Sequence, residues 1–396
     1  MDARARYALR GKMAIIGAAD TRVGVVPNTT SAQLYAQAAT LALADAGIGK
    51  EQVDGLITCN ASTERGPLRT FHAESIAEML GITPRMCLTG AVGGALPVLM
   101  MEHAAAAIAA GVCNTVLLIS ADNILSGMKR RVAVPEPWDD PQFEEPYGPT
   151  TPAMYALIAR AHMHAYGTTS EQFAAVAVAC RKHAALNPGA QKREPITIAD
   201  VLNSRMIADP LHLLDCSLVS DGGAAIVMTA ADRAKDARKQ PVYFLGAGEA
   251  HPYLSILQAR SLTESGAVES GKQAYAAAGV RPTDIDLAMV YDAFTSMALI
   301  YLEDLGFCAK GEGGPFAASG NIELGGSIPI NTHGGLLSYC HAGLANSIFH
   351  ITEAVRQLRG ECGARQVAGA RLAIIHGQGG RASTHGTAIL GSPETL

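Results

Sequence analysis

Alternation between apolar runs and helical stripes divides the chain into α/β units. Residues 38–57 read "AATLALADAGIGKEQVDGLI" and residues 270–289 read "SGKQAYAAAGVRPTDIDLAM". Each predicts an alanine-rich helix, a glycine that stops it, a short polar connection, and a buried strand opened by Val/Ile-Asp. The two stretches align without a gap. A second echo follows each one. "HAAAAIAAGVCNTVLLISAD" resembles "ITEAVRQLRG" joined, after a longer connection, to "ARLAIIHGQGG". Two echoes in the same order predict two similar halves.

The segment between the halves breaks the pattern. A Pro- and acid-rich stretch, "VPEPWDDPQFEEPYGPTTP", precedes helical patterns over 153–164 and 170–186, the second with Ser170 as the expected N-cap. "SLVSDGGAAIVMTAADRAKD" then predicts a strand and helix returning to the first half. The resulting division is 1–124 plus 216–240 for the first half, 125–215 for a helical insertion, and 241–396 for the second half.

Charge and composition narrow the partners. The 396 residues carry a net charge of −5, and no basic run exceeds "KRR" at 129–131. Nucleic acid is therefore not expected. The most apolar stretch, around 91–111, contains Glu102, His103 and several glycines, and so reads as a buried helix rather than a membrane span. The first residues have no apolar signal core, which leaves the cytoplasm as the expected compartment. Eight cysteines are scattered without a CxxC pair and are expected to be small buried residues.

Familiar motifs are missing. There is no phosphate loop, no dinucleotide fingerprint and no GxSxG elbow. His162 and His164 lie too far apart around a helix to form a natural metal pair, and no metal site is expected. One loop, "NTHGGLLSYCHAGL" (331–344), instead concentrates glycines, a serine, a tyrosine, a cysteine and a histidine.

Four long stretches give these features a context: "YDAFTSMALIYLEDLGFCAKGEG", "GNIELGGSIPINTHGGLLSYCHAG", "GTTSEQFAAVAVACRKHAALNPGA" and "DPLHLLDCSLVSDGGAAIVM". With the duplicated halves, they resemble the sterol-carrier-protein-x and lipid-transfer-protein branch of the thiolase superfamily, over nearly the whole chain. The resemblance implies an α/β thiolase fold, a five-layered αβαβα sandwich with a helical loop-domain insertion. It also implies a nucleophilic cysteine at the start of a buried helix, where the helix dipole favours a thiolate. Counting back from "AIAAG" by the family's spacing lands on Gly94. The nucleophile is missing, and the nearest upstream cysteine is Cys87. The family's second cysteine is matched by His376 in "IIHGQGG". His341 matches the histidine that donates to the thioester oxygen, Tyr291 in "YDAF" takes the place of the oxyanion asparagine, and Tyr339 stands two residues before His341.

A thiolase fold without a nucleophile cannot form an acyl-enzyme. It can still bind a CoA thioester and stabilise its enolate. The expected reaction is a retro-aldol cleavage of a β-hydroxyacyl-CoA carrying a steroid or other bulky side chain. Tyr291 and Tyr339 are the expected proton-transfer pair. His341, assisted by His376, would polarise the thioester, Asp292 would orient a neighbour, and Gly94, Gly334, Gly335 and Gly343 would let the backbone approach the substrate. The CoA thioester enters as substrate, and no covalently bound cofactor is expected. The resemblance further implies a homodimer pairing through the first sheet and a small OB-fold partner of zinc-ribbon type. Two other readings stand beside this one: a cysteine-dependent acetyl-CoA acetyltransferase or thiolase using Cys87 or Cys340, and a non-catalytic acyl-CoA or lipid-binding subunit.

Overall fold

The computed structural model describes residues 9–63, 66–127, 140–148, 150–344 and 346–396. The "KRR" run and much of the Pro- and acid-rich stretch lie outside the described residues. Among the described residues, nine strands form one hydrogen-bonded sheet: β1 (Met13–Asp20), β2 (Gly55–Cys59), β3 (Met86–Gly90), β4 (Thr115–Asn123), β5 (Asp221–Ala230), β6 (Val242–Ala250), β7 (Leu287–Val290), β8 (Leu372–Gly379) and β9 (Thr384–Gly391). Their order across the sheet is β3-β2-β4-β5-β1-β6-β9-β8-β7.

The duplication is visible in this order. In the first half β3, β2 and β4 run parallel, while β5 and β1 follow antiparallel. In the second half β7 and β8 are parallel, and β9 and β6 follow antiparallel. The counterpart of β3 is reduced to one parallel bridge between Ala288 and Ile330. The last strand of each half, β1 and β6, pair through Met13–Phe244 and Ile15–Val242, which joins the halves into a single set of strands.

The helices that frame the sheet are α1 (Ser31–Ala46), α2 (His72–Leu80), α3 (Leu96–Ala109), α4 (Thr151–Tyr166), α5 (Ser170–Ala185), α6 (Ala267–Ala278), α7 (Thr295–Asp304) and α8 (Ser347–Leu358). α3 and α8 each touch strands of both halves and form the middle layer. α1 and α2 cover the first half from outside, and α6 and α7 cover the second. The five layers are those the resemblance implies.

Both echoed helices use the same packing chemistry. A Cβ on Gly17 of β1 would come within 2.3 Å of the Ala42 carbonyl oxygen and 2.7 Å of the Ala46 methyl. A Cβ on Gly246 of β6 would meet the Ala277 methyl and the Ala278 nitrogen, each at 2.7 Å. Alanine on the helix and glycine on the strand let backbone lie on backbone.

The insertion supplies α4 and α5. Its second helix is capped one residue before the expected position. Thr169 is the N-cap, and it exchanges hydrogen bonds with Gln172 in a capping box. The reciprocal Thr/Gln pair satisfies two orphan donors, whereas Ser170 has no Glu or Gln three residues on. "SLVSDGG…" forms β5 and then only a 3₁₀ turn at Arg233–Asp236. His162 is an interior helical residue whose ring meets Thr168 at 2.8 Å and Glu303 at 3.1 Å. Among the described residues no group of three His, Cys, Asp or Glu side chains is placed to hold a metal ion. None of the described helices is long and apolar enough to cross a membrane.

Candidate active site

Two segments converge at the C-terminal end of β7. The first is Tyr291–Phe294, directly after the strand. The second is the loop 331–344. Asn331 fastens them together: its Oδ1 accepts from the Val290 N–H at 2.9 Å, and its Nδ2 donates to the Val290 carbonyl at 2.8 Å. Asp292 makes the second fastening. It accepts from the N–H of Leu336 at 2.8 Å and of Leu337 at 3.4 Å, at the start of the helical turn Gly335–Ser338. A Cβ on Gly335 would fall 1.9 Å from an Asp292 oxygen, and its φ of +65° is one that glycine adopts readily. Burial works against the Asp292 charge, but the His350 ring beside it and the hydrogen bond from the Leu336 N–H hold its pKa below the ordinary carboxylate value.

These fastenings bring Tyr291 to His341. The phenol oxygen lies 3.5 Å from His341 Nε2, with the rings edge to face. His341 is itself held at its backbone, donating to Ser220 Oγ at 2.9 Å and accepting from the Ser220 N–H at 3.0 Å.

The phenol of Tyr291 also occupies the space over Gly94. A Cβ on Gly94 would lie 2.1 Å from Tyr291 Cε2, 2.3 Å from Cζ and 2.5 Å from the hydroxyl oxygen. Gly94 sits in the 3₁₀ turn that opens α3, the place where the resemblance puts a nucleophile. Any side chain there would displace the phenol. The missing cysteine and the added tyrosine are therefore one structural change. The Gly94 carbonyl accepts a hydrogen bond from Ser347 Oγ, and Gly377 packs against the same carbonyl.

Burial raises the pKa of the Tyr291 phenol, and the Asp292 charge raises it further, against a lowering hydrogen bond from Asn346. At neutral pH the group is a protonated phenol.

The other expected residues are placed elsewhere. Tyr339 is buried, but its hydroxyl donates to Asp20 Oδ2 at 2.7 Å, an oxygen that also receives Arg356 Nη1 at 2.7 Å. Its ring lies 4.7 Å from that of His333. The two phenols do not form a pair. His376 points away from Gly94, because side chains alternate along β8 and the neighbouring Gly377 takes the inward position. His376 instead bonds to Thr387 at 2.9 Å and to His385 at 3.3 Å. Gly334 packs on Ala184, and Gly343 packs on Asp122 at the end of β4. Both glycines shape the loop that carries His341.

Neither Cys87 nor Cys340 is a poised nucleophile. Cys87 packs with the apolar cluster on the outer face of the sheet, while α3 lies in the cluster on the inner face. Burial raises its thiol pKa, and so does Glu74. Cys340 is fully buried, with a thiol pKa well above the ordinary value. The Cys59 thiol acts electrostatically on the Tyr291 phenol, and burial pushes its own pKa up to about 12.

Sequence reasoning passed over Asn331, Ser220, Asn346 and His350. His350 lies in α8, fully buried, with its ring 6.3 Å from Tyr291 and its Nε2 3.5 Å from Asp292. Polar residues inside the apolar pattern of "SIFHITEAV" were the available signal.

Comparison with known proteins supports the same grouping. A family model described as thiolase C-terminal domain-like matches residues 248–392. The chain is 41% identical to the 17-hydroxy-3-oxo-4-pregnene-20-carboxyl-CoA lyase of Mycobacterium tuberculosis, over 89% of this chain and 92% of that one. It is 38% identical to a steroid side-chain-cleaving aldolase of Thermomonospora curvata, over 89% and 91%. An acetyl-CoA acetyltransferase of Methanothermobacter thermautotrophicus is 35% identical over 94% and 98%. Among solved structures, the Ltp2-ChsH2(DUF35) aldolase superposes with a TM-score of 0.87 at 35% identity, covering 98% of this chain and all of that one. Human mitochondrial 3-ketoacyl-CoA thiolase shares the fold at a TM-score of 0.73 and 16% identity, covering 97% of this chain and 98% of that one. The chain belongs to the thiolase superfamily, in the branch that contains the side-chain-cleaving aldolases.

Proposed function

We propose that this chain is an acyl-CoA aldolase that cleaves a β-hydroxyacyl-CoA by a retro-aldol reaction in which Tyr291 and His341 work as one proton relay. The carrying observation is the phenol of Tyr291 seated over Gly94, with its oxygen 3.5 Å from His341 Nε2. A phenol with a raised pKa is too weakly acidic to supply free phenolate at neutral pH. It can pass a proton along. The substrate hydroxyl gives its proton to the Tyr291 oxygen as Tyr291 gives its own to His341. The Cα–Cβ bond breaks, and the carbonyl product and an acyl-CoA enolate form. The relay then reverses: Tyr291 protonates Cα and recovers its proton from His341. One proton has moved from oxygen to carbon, and the enzyme is unchanged.

This step needs no nucleophile, in keeping with glycine at position 94. A steroid-sized substrate is favoured by the relatives, whose names describe a pregnene carboxyl-CoA lyase and a steroid side-chain-cleaving aldolase. CoA enters as part of the thioester substrate. A small OB-fold partner of zinc-ribbon type is favoured by the Ltp2-ChsH2(DUF35) aldolase, whose name joins two components. A homodimer through β3 fits the half-exposed character of that edge strand, where Leu88 is 41% exposed. Tyr339, bound to Asp20, supports the loop carrying His341.

The relay is tested by Tyr291→Phe. We expect kcat to fall by about 10²–10⁴-fold, the usual worth of a positioned proton donor. In deuterated water the wild-type product should carry one deuterium at Cα of the acyl-CoA. Turnover by Tyr291→Phe near the wild-type rate would eliminate the relay.

A further inference from the structure

The turn between β8 and β9, residues 379–383, backs the bend that holds Gly94. A Cβ on Gly93 would lie 3.1 Å from Gly379 Cα and 3.3 Å from the Gly380 nitrogen, so the two backbones are in contact. The turn contains Ala382, 1% exposed, with a φ of +56°. A left-handed alanine is strained and persists where the surroundings hold it.

Two side chains hold it from opposite sides. The Ala382 N–H donates to the hydroxyl of Tyr155 at 3.1 Å, and its carbonyl accepts from His385 Nε2 at 2.8 Å. The Tyr155 hydroxyl lies 2.9 Å from Gln378 Oε1 and 3.1 Å from the Gly380 carbonyl, to one of which it donates. Tyr155 comes from α4, and its ring stacks on Phe294 at 4.4 Å, three residues beyond Tyr291.

With both rings neutral, the His385 bond fixes every proton behind it. A carbonyl only accepts, so His385 carries its proton on Nε2. Its Nδ1 must then accept from His376 Nε2, 3.3 Å away. His376 Nδ1 accepts in turn from the Thr387 hydroxyl at 2.9 Å, and Thr387 meets Ser270 of α6 at 2.8 Å. Tyr301 closes the space over His376 with ring centroids 4.4 Å apart. Two neutral imidazoles, each with its proton on Nε2, satisfy this chain of donors and acceptors. Burial, together with His385, holds His376 well below the ordinary imidazole value, and burial brings His385 down to about 4.

We propose that Tyr155, His376 and His385 are positioning residues that clamp Ala382 and thereby fix the Gly93–Gly94 bend beneath Tyr291. The clamp acts through the turn, and its effect on turnover rests on the retro-aldol reading above. It also accounts for a histidine at position 376 without placing that ring in the reaction: its hydrogen-bonding capacity is spent on His385 and Thr387.

Glutamine can replace His385 in this arrangement, since its amide donates to one partner and accepts from the other; leucine cannot. We expect His385→Leu to lower kcat by about tenfold to a hundredfold, the effect of a small misplacement at a reacting centre, with KM changed less than about twofold. His385→Gln should stay within about threefold of wild type. Histidine ¹⁵N spectra of the intact wild-type protein provide a measurement independent of any variant. Both rings should be neutral with the proton on Nε2. An Nδ1–H tautomer or an imidazolium at either ring at pH 7 overturns the clamp. So does wild-type kcat in His385→Leu, or equal loss in the leucine and glutamine variants when both are folded. If turnover strictly requires free CoA, the retro-aldol reading falls, while the tautomers still decide the clamp.

Discussion

Tyr291 shows how one side chain redirects a site. Its ring lies where a Cβ at position 94 would lie, so phenol and thiol exclude each other. Gly94→Cys should therefore displace the phenol without restoring a thiolase. We expect kcat for cleavage to fall about a hundredfold, as for a reacting group moved from its place. The overpacking should cost about 1–3 kcal/mol of stability, read from the denaturation midpoint. Full activity in Gly94→Cys would mean that Tyr291 is free to stand elsewhere. The same scale sets the limit of what sequence could reveal. Glycine at the nucleophile position and tyrosine in "YDAF" are visible as single departures from the family pattern. Their mutual exclusion is not, because residues 94 and 291 meet only in the fold. Tyr339 and His376 are candidates in the sequence because they stand beside recognisable motifs. Asp20 takes the first and His385 the second, and both partners are distant or unmarked in the sequence.

At the scale of elements, periodicity carries most of the information. The echo of 38–57 in 270–289 becomes α1–β2 and α6–β7, which occupy equivalent places in the two halves. The second echo becomes α3–β4 and α8–β8, with both helices in the middle layer. Apolar pattern and glycine stops are local signals, so these elements can be read directly. The site loop cannot. Its shape depends on Asn331 gripping Val290, Asp292 gripping Leu336 and Ser220 gripping His341, pairs separated by 41, 44 and 121 residues. Nothing in the local pattern distinguishes a gripping asparagine from one in an ordinary turn. The β1–β6 pairing that merges the two halves is likewise invisible, because edge-to-edge contact leaves the apolar pattern of each strand unchanged.

For the whole molecule, the concentration of neutral histidines in the interior has a measurable consequence. Burial lowers the pKa of His72 and His385 to about 4 and of His333 to about 3, and it holds His376 well below the ordinary value. In the unfolded chain these rings titrate near 6.5. Between about 6.5 and about 4 the unfolded state therefore binds more protons than the folded state, and stability falls as pH falls through that window. The urea midpoint should drop steadily from pH 7 to pH 5. A midpoint unchanged over that range would show that the four rings are not buried in neutral form.

Carbon–carbon cleavage without a nucleophilic cysteine is the central claim. The most direct measurement supplies a β-hydroxyacyl-CoA bearing a tertiary alcohol to the protein with its candidate OB-fold partner, in the absence of free CoA, and follows the acyl-CoA product. We predict acyl-CoA and ketone in equal amounts, undiminished in Cys87→Ala Cys340→Ala and lost in Tyr291→Phe. A strict requirement for free CoA, or loss of turnover in the double cysteine variant, would contradict it.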